Sequence, residues 1–221
     1  QASLADANRI ISTYMKTGAP QQFSVLPRAP IEVKPVEAWR TETAPVAFYN
    51  QGTPDGSRPG IFYINLGDPS QVLKPMVETT TCHEATPGHH FQIARSQEQQ
   101  DLPMFRRFAF YGAYIEGWGL YAERLCKEAG MYQDPYSDLG RLSLELWRAA
   151  RLVVDTGIHA KHWSRDQALQ YFRDNTMLSE RDITKEINRY IANPGQATSY
   201  KIGQLRILSL RDKARAALGP K

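Results

Sequence analysis

From Pro69 onward the sequence predicts helix almost without interruption, and no other feature constrains the fold as strongly. We expect about six helices, the first of which is interrupted or kinked at Pro87-Gly88. Ser164 begins one of them with a capping box, in which Gln167 stands at the third position. The predicted spans are 70–86, 89–98, 102–129, 136–162, the two segments that begin at Ser164 and Ser179, and 198–217. The sequence therefore indicates a mainly α fold.

The preceding residues carry weaker signals. Residues 3–17 have apolar side chains near helical spacing, whereas residues 18–45 are rich in Pro and indicate a long irregular segment. Two short aromatic and β-branched runs flank a Gly/Pro/Asp turn cluster at 46–66. This pattern predicts a β-hairpin with a long loop.

No internal repeat or change of composition marks a second domain. We therefore predict one mainly helical domain over 1–221. It consists of a lead-in at 1–45, the hairpin at 46–66 and a helical core at 69–217. Because Gln1 falls within the first predicted helix, we expect this domain to be a piece of a longer protein.

The composition argues against several classes of function. The net charge is +4 and no run of Lys or Arg is present, so we expect no nucleic-acid partner. No apolar run reaches the length of about 20 residues that a membrane-spanning helix needs. Two cysteines, Cys82 and Cys126, are too few for a secreted disulfide framework. We interpret Cys82 as a small buried apolar residue.

The stretch TTTCHEATPGHHFQ, residues 79–92, contains three of the five histidines. A His-Glu pair with a second His one helical turn later is typical of zinc peptidases, but Pro87 occupies that position here. On an unbroken helix His89 would point about 120° away from His83, and His90 would lie about 10 Å further along the axis. The Pro87-Gly88 pair can form a bulge that loops out two residues and returns the next histidine to the face of His83.

We therefore predict that His83 and His89 bind a zinc ion, with Glu84 as the general base that takes a proton from water. His90 stays open as an alternative ligand to His89. The competing interpretation is a polar helix end whose histidines are solvated or hydrogen-bonded.

A third ligand should come from a different helix, and the stretch EGWGLYAE offers Glu116 and Glu123, two turns apart on one face. Small residues flank Glu116, which suits the close approach of a neighbouring helix or of substrate. We predict that Glu116 is the third ligand and that Glu123 is the hydrogen-bond partner of a histidine ligand. The alternative is that each glutamate is an ordinary helical residue, exposed or salt-bridged.

A polar stripe on the predicted helix 136–162 carries Arg148, Arg151, Asp155 and His159 at spacings of three and four. We predict that Asp155 holds His159, which would donate a hydrogen bond to the oxyanion of the reaction. Tyr200, at the start of the last helix, would donate to the same oxyanion. Arg151 would bind a substrate carboxylate. The alternative is a solvated face of ion pairs.

The chain resembles a large bacterial family catalogued as domain of unknown function 885, through HEATPGHHFQ, EGWGLYAE, RLVVDTGIHAKHW and PGQATSYKIGQL in this order. That family is placed in the gluzincin clan of zinc metallopeptidases. The resemblance covers about residues 45–215 and implies the same ligands, base and oxyanion donors as above. Because family members are usually much longer, it implies that this chain is their C-terminal half and that an N-terminal half completes the cleft. It also implies a periplasmic or cell-envelope location.

We therefore hypothesise a zinc-dependent metallopeptidase that hydrolyses peptides. In gluzincins an edge strand beside the zinc helix pairs with the extended substrate, and we predict this role for GIFYINL at 60–66, with Tyr63 in contact with substrate. Two alternatives stay open. One is a catalytically inactive helical binding module of the same fold, and the other is a metal-dependent hydrolase of non-peptide amides or esters.

Overall fold

The computed structural model describes residues 2–68 and 73–219, which are mainly helical, as predicted. The chain divides into two compact units. Unit 1 comprises Gln1–Phe110 and Tyr121–Arg141, and unit 2 comprises Tyr111–Leu120 and Leu142–Lys221. A single-domain organisation stays a prediction. Among the described residues, no helix is both long and apolar enough to span a membrane.

Ten α-helices are present in the described residues. In chain order they are α1 Ala2–Thr13, α2 Ala19–Gln22, α3 Lys74–Glu84, α4 His89–Glu98, α5 Met104–Phe108, α6 Gly112–Glu128, α7 Pro135–Lys161, α8 Arg165–Asn175, α9 Glu180–Ala192 and α10 Ser199–Leu218. The predicted helix at 102–129 is in fact two helices, because the backbone is extended at Ala109. Residues 70–72 of the helix predicted at 70–86 lie outside the described residues.

Unit 1 contains a three-stranded sheet in the order β1-β3-β2, formed by β1 Ile31–Pro35, β2 Ala47–Asn50 and β3 Gly60–Ile64. β2 and β3 pair antiparallel, so the predicted hairpin is present. β1 pairs parallel to β3 and lies in the segment that we predicted to be irregular. That prediction was wrong for β1, for α2 and for a short 3-10 turn at Ala38–Arg40.

The central position of β3 overturns the prediction that residues 60–66 form the substrate-pairing edge. Both sides of β3 already carry a neighbouring strand, so its backbone groups are used within the sheet. Tyr63 lies on this central strand and stacks on Phe48, with ring centroids 4.9 Å apart. The Arg40 guanidinium lies 5.9 Å from the centroid of the Tyr63 ring. The contact between Tyr63 and substrate was predicted because residues 60–66 were expected to form an edge strand, and β3 is not an edge strand.

The core of unit 1 lies between α1, α3, α6 and the sheet. One buried cluster contains Ile10, Tyr14, Ala19, Cys82, Cys126, Met131 and Tyr132, and another contains Ala7, Phe62, Ile64 and Ala85. Cys82 and Cys126 form a disulfide between α3 and α6, with a Cα–Cα distance of 6.4 Å. Cys82 is fully buried, as predicted, but the sequence analysis did not predict its bond to Cys126.

The core of unit 2 is formed by α7, α8 and α9. Its buried side chains include Val154, Phe172, Ile183, Ile187 and Tyr190. Ser164 begins α8 with the predicted capping box, because its side chain accepts from the Gln167 N–H while the Gln167 side chain accepts from the Ser164 N–H. α10 packs closely on residues 112–120 of α6, since a Cβ at Gly203 would lie 1.9 Å from the Ala113 carbonyl oxygen.

Candidate metal centre

The His-Glu motif lies at the end of a helix. His83 and Glu84 are the last two residues of α3, and His89 is the first residue of α4. Residues 85–88 between them are not helical. The helix therefore ends and a new one begins, which agrees with the predicted interruption at Pro87-Gly88 but not with a bulge that loops out two residues. Pro87 explains the difference, because its ring and its missing N–H are incompatible with a continuous helix at this point.

Gly88 allows α4 to begin directly against the end of α3. A Cβ at this position would lie 1.8 Å from the His83 carbonyl oxygen and 2.4 Å from that of Cys82. No residue with a side chain fits that approach. The rings of His83 and His89 lie at a centroid distance of 4.8 Å, nearly perpendicular to each other.

Three side chains converge where α3 ends and α4 begins. One donor atom from each of His83, Glu84 and His89 lies within 4.8 Å of the other two. Both histidines are buried, with 4% and 8% of their surface exposed, and Glu84 is half-buried. Two imidazole nitrogens suit zinc, and a carboxylate beside them can accept a proton from a water molecule on the ion. The sequence analysis predicted these three residues to lie together.

His83 is oriented by a buried carboxylate. Its Nδ1 lies 2.8 Å from Glu123 Oε1 on α6, and Glu123 is only 1% exposed. The Thr79 hydroxyl donates to the other carboxylate oxygen, Oε2, at 2.9 Å. With Glu123 ionised and His83 neutral, Nδ1 donates to the carboxylate and Nε2 keeps the lone pair that a metal requires. Glu123 thus lies where the sequence analysis predicted the partner of a histidine ligand.

His90 has a different environment from His89. Its Nε2 lies 3.1 Å from the Ala29 carbonyl oxygen, and its Nδ1 lies 3.0 Å from the Tyr49 hydroxyl. Burial lowers the pKa of His90 to about 4, so the ring is neutral. Nε2 then donates to the carbonyl and Nδ1 accepts from Tyr49. Both ring nitrogens of His90 form hydrogen bonds within the protein. His89, and not His90, therefore joins His83 and Glu84 in the cluster.

In unit 2, the predicted pairing of Asp155 with His159 is absent. Both carboxylate oxygens of Asp155 accept from the Gly195 N–H at 3.1 Å. His159 is exposed, and its Nε2 lies 3.0 Å from the Tyr190 carbonyl oxygen. The sequence spacing places both side chains on one face of α7. Each of them instead forms a hydrogen bond with a backbone group between Tyr190 and Gly195. The catalytic role of His159 stays a prediction.

Arg151 is buried in a network of its own unit. Its Nε donates to the Tyr190 hydroxyl at 2.7 Å, and its Nη2 lies 3.1 Å from Glu186. The guanidinium also lies 4.1 Å from the ring centroid of Trp147 and 4.7 Å from that of Tyr200. These contacts assign Arg151 a structural role in holding α7 to α9 and α10. Binding of a substrate carboxylate by Arg151 stays a prediction.

Tyr200 keeps its proton at neutral pH. Burial, and then the negative charge of Glu116, raises the pKa of Tyr200, and Gln196 donates to its oxygen at 3.2 Å. The hydroxyl can therefore serve as a hydrogen-bond donor. Glu116 is half-buried in the part of α6 that belongs to unit 2, and its role as third ligand stays a prediction.

The sequence analysis missed Thr79 and the disulfide. Thr79 lies four residues before His83, which places both side chains on one face of α3. Cys82 precedes His83 directly, and Cys126 follows Glu123 by three residues. The position of both cysteines beside predicted site residues was the available signal.

The chain is similar to bacterial proteins without an assigned activity. The family described as "Bacterial protein of unknown function (DUF885)" matches residues 1–221. The crystal structure of the "putative lipoprotein from Colwellia psychrerythraea" is 48% identical, with a TM-score of 0.95 over 99% of this chain and 37% of that chain. The chain matches no curated protein.

A second solved structure has the same fold at low identity. It is described as a "putative lipoprotein of unknown function from Shewanella oneidensis", with 20% identity and a TM-score of 0.80 over 99% of this chain. The match covers 41% of that protein. The chain therefore spans less than half the length of both structures.

Proposed function

The chain belongs to the DUF885 family of bacterial proteins of unknown function, and we propose that it is the metal-binding part of a zinc-dependent metallopeptidase. The proposal rests on one observation above all. The donor atoms of His83, Glu84 and His89 lie within 4.8 Å of one another, and Glu123 holds the Nδ1 of His83. A histidine whose other nitrogen meets a buried carboxylate is the usual arrangement around a bound metal.

His83 and His89 are the protein's nitrogen ligands in this proposal, and Glu116 is the predicted carboxylate ligand. A bound zinc ion would polarise the substrate carbonyl and lower the pKa of a water molecule towards 7. Glu84 takes the proton of the attacking water and passes it to the leaving amine. Tyr200, protonated at neutral pH, donates a hydrogen bond to the developing oxyanion, and His159 is the second predicted donor.

We propose peptides as substrates, bound along β2 rather than β3. β2 is an outer strand of the sheet, and α3 packs against it. An extended peptide can therefore add to β2 next to the helix that carries His83. Because the similar solved chains are much longer, we also propose that a further region of the parent protein completes the cleft.

A location in the cell envelope fits two observations. Both similar structures carry the description "putative lipoprotein", and the Cys82–Cys126 disulfide suits an oxidising compartment. We propose that the parent protein works outside the cytoplasm.

The test combines metal analysis with peptide hydrolysis for the wild type, Glu84→Gln and the exposed control Glu42→Gln, each made in the full-length parent protein, because the proposed cleft includes its further region. We expect one zinc per wild-type chain and a loss of kcat/KM of at least about 100-fold in Glu84→Gln, with zinc retained, because the general base is removed. Glu42→Gln should behave as the wild type. A wild type without zinc would refute the proposal. Zinc without hydrolysis of any peptide would indicate a binding module, and activity confined to esters or other amides would indicate a different hydrolase.

A further inference from the structure

Thr79 and His83 contact the same buried carboxylate from one face of α3. The Thr79 hydroxyl donates to Oε2 of Glu123 at 2.9 Å, and His83 Nδ1 lies 2.8 Å from Oε1. Thr79 is fully buried and Glu123 is 1% exposed. The two donors are one helical turn apart, so each carboxylate oxygen meets its own donor.

Thr79 makes an unusual contact for a buried helical threonine. Such hydroxyls often donate to the backbone carbonyl four residues earlier, as Thr81 does to Val77 at 2.7 Å on the same helix. Thr79 donates to a side chain on α6 instead. The comparison indicates that Thr79 serves the carboxylate and not the backbone of α3.

A second donor is needed because a carboxylate turns easily about its last bond. That torsion is broad, so a hydrogen bond to one oxygen leaves the plane of the group free to rotate. Donors on both oxygens fix the plane, and with it the direction of the bond to His83. The ring of His83 then presents Nε2 in one fixed direction.

The groups around Glu123 are buried as well. Tyr132 is buried close to it, and the pKa of Tyr132 is raised by burial first and by the charge of Glu123 second. The Cys82–Cys126 disulfide lies in the same buried cluster as Tyr132.

We propose that Thr79 is a positioning residue of the metal site, which sets the orientation of His83 by fixing the Glu123 carboxylate. This inference rests on the proposed function, because its effect is read as zinc affinity. Removal of the hydroxyl takes one donor from Oε2 and so weakens the constraint on the carboxylate plane and on the imidazole that it contacts. The metal ligands themselves are unchanged.

The experiment measures the zinc dissociation constant, by competition with a chelating dye, for Thr79→Val, Thr79→Ser and Thr81→Val. We expect Thr79→Val to bind zinc about tenfold more weakly, the lower end of the range for partners of a metal ligand. Thr79→Ser keeps the hydroxyl and should restore the affinity. Thr81→Val removes an equally buried hydroxyl from the same helix and should leave zinc affinity unchanged. Far-UV circular dichroism checks the fold of each protein, and Thr79→Ala replaces Thr79→Val if valine prevents folding.

The outcomes separate this inference from the proposed function. A wild-type chain that binds no zinc refutes both. Wild-type zinc binding with an unchanged constant in Thr79→Val refutes the role of Thr79 alone. An equal loss in Thr81→Val, or no rescue by Thr79→Ser, also refutes it, because the effect would then be general loosening of α3.

Discussion

The Cys82–Cys126 disulfide should contribute strongly to the stability of unit 1. It closes a loop with a sequence separation of 44, between α3 and α6. The chain-entropy relation for a loop of this length gives about 13 cal/mol/K, or about 4 kcal/mol at 25 °C. We therefore expect Cys82→Ala/Cys126→Ala to lose about 4 kcal/mol of unfolding free energy. At a typical m-value of about 2 kcal/mol/M, the urea midpoint would fall by about 2 M.

The assay compares urea unfolding of the wild type and the double variant, each with and without dithiothreitol. The reductant should move the wild type to the midpoint of the variant and leave the variant unchanged. A midpoint that falls by less than about 0.5 M would contradict the entropic argument. Two thiols that react in denatured, non-reduced wild type would contradict the disulfide itself.

The same variant should also bind zinc more weakly. The disulfide and the His83–Glu123 hydrogen bond join the same two helices, and Cys82 directly precedes His83. Without the disulfide, α3 and α6 can move apart, and the carboxylate no longer meets the ring at a fixed distance. Zinc affinity equal to that of the wild type would show that Glu123 and its donors hold the helices without the covalent link.

Three further changes test other parts of the structure. Gly88→Ala should weaken zinc binding at least tenfold in a chelator competition, because its Cβ would lie 1.8 Å from the His83 carbonyl oxygen and α4 must move away. Glu123→Gln should weaken it by about 10- to 100-fold in the same assay, because the charged acceptor is lost. Glu186→Gln should cost about 3–5 kcal/mol in urea unfolding at pH 7, because it leaves the buried Arg151 charge without its partner. Burial alone would raise the pKa of Glu186, but the charge of Arg151 keeps this pKa below its usual value. Ionised Glu186 therefore contributes its full stabilisation above about pH 4.5. This stabilisation falls as the pH drops through the pKa of Glu186 in the folded protein. The variant should therefore lose less stability than the wild type between pH 6 and pH 3.

The convergence of His83 and His89 was predictable because it depends on local chemistry. Pro87 must end the helix, and Gly88 permits a close approach that no other residue allows. Both effects act within seven residues, so they are readable from the sequence. The location of Glu123 followed from helical spacing and from the need of a histidine ligand for an acceptor. Only the form of the interruption, a helix end in place of a bulge, differed from the prediction.

The missed features depend on residues far apart in the chain. Ile31 pairs with Gly60 across 29 positions, within a segment whose prolines suggested no regular structure. The partners of Asp155 and His159 come from residues 190–195, and these contacts outweighed the local spacing that put the two side chains on one face. The hydrogen-bond partner of a helical side chain depends on which segment packs against the helix. Helical periodicity in the sequence does not identify that segment.

The helix end explains why the site depends on α6. In an unbroken helix the backbone alone would fix two ligands one turn apart. Here α3 stops one residue after His83, and the next ligand belongs to a separate helix. The direction of the His83 ring must therefore come from contacts outside α3. Residues 121–128 of α6 supply them, with the carboxylate of Glu123 on the ring and Cys126 bonded to the residue before it. We infer that the helix end before Pro87 is compatible with the proposed metal site because α6 provides the rigidity that a continuous helix would otherwise give.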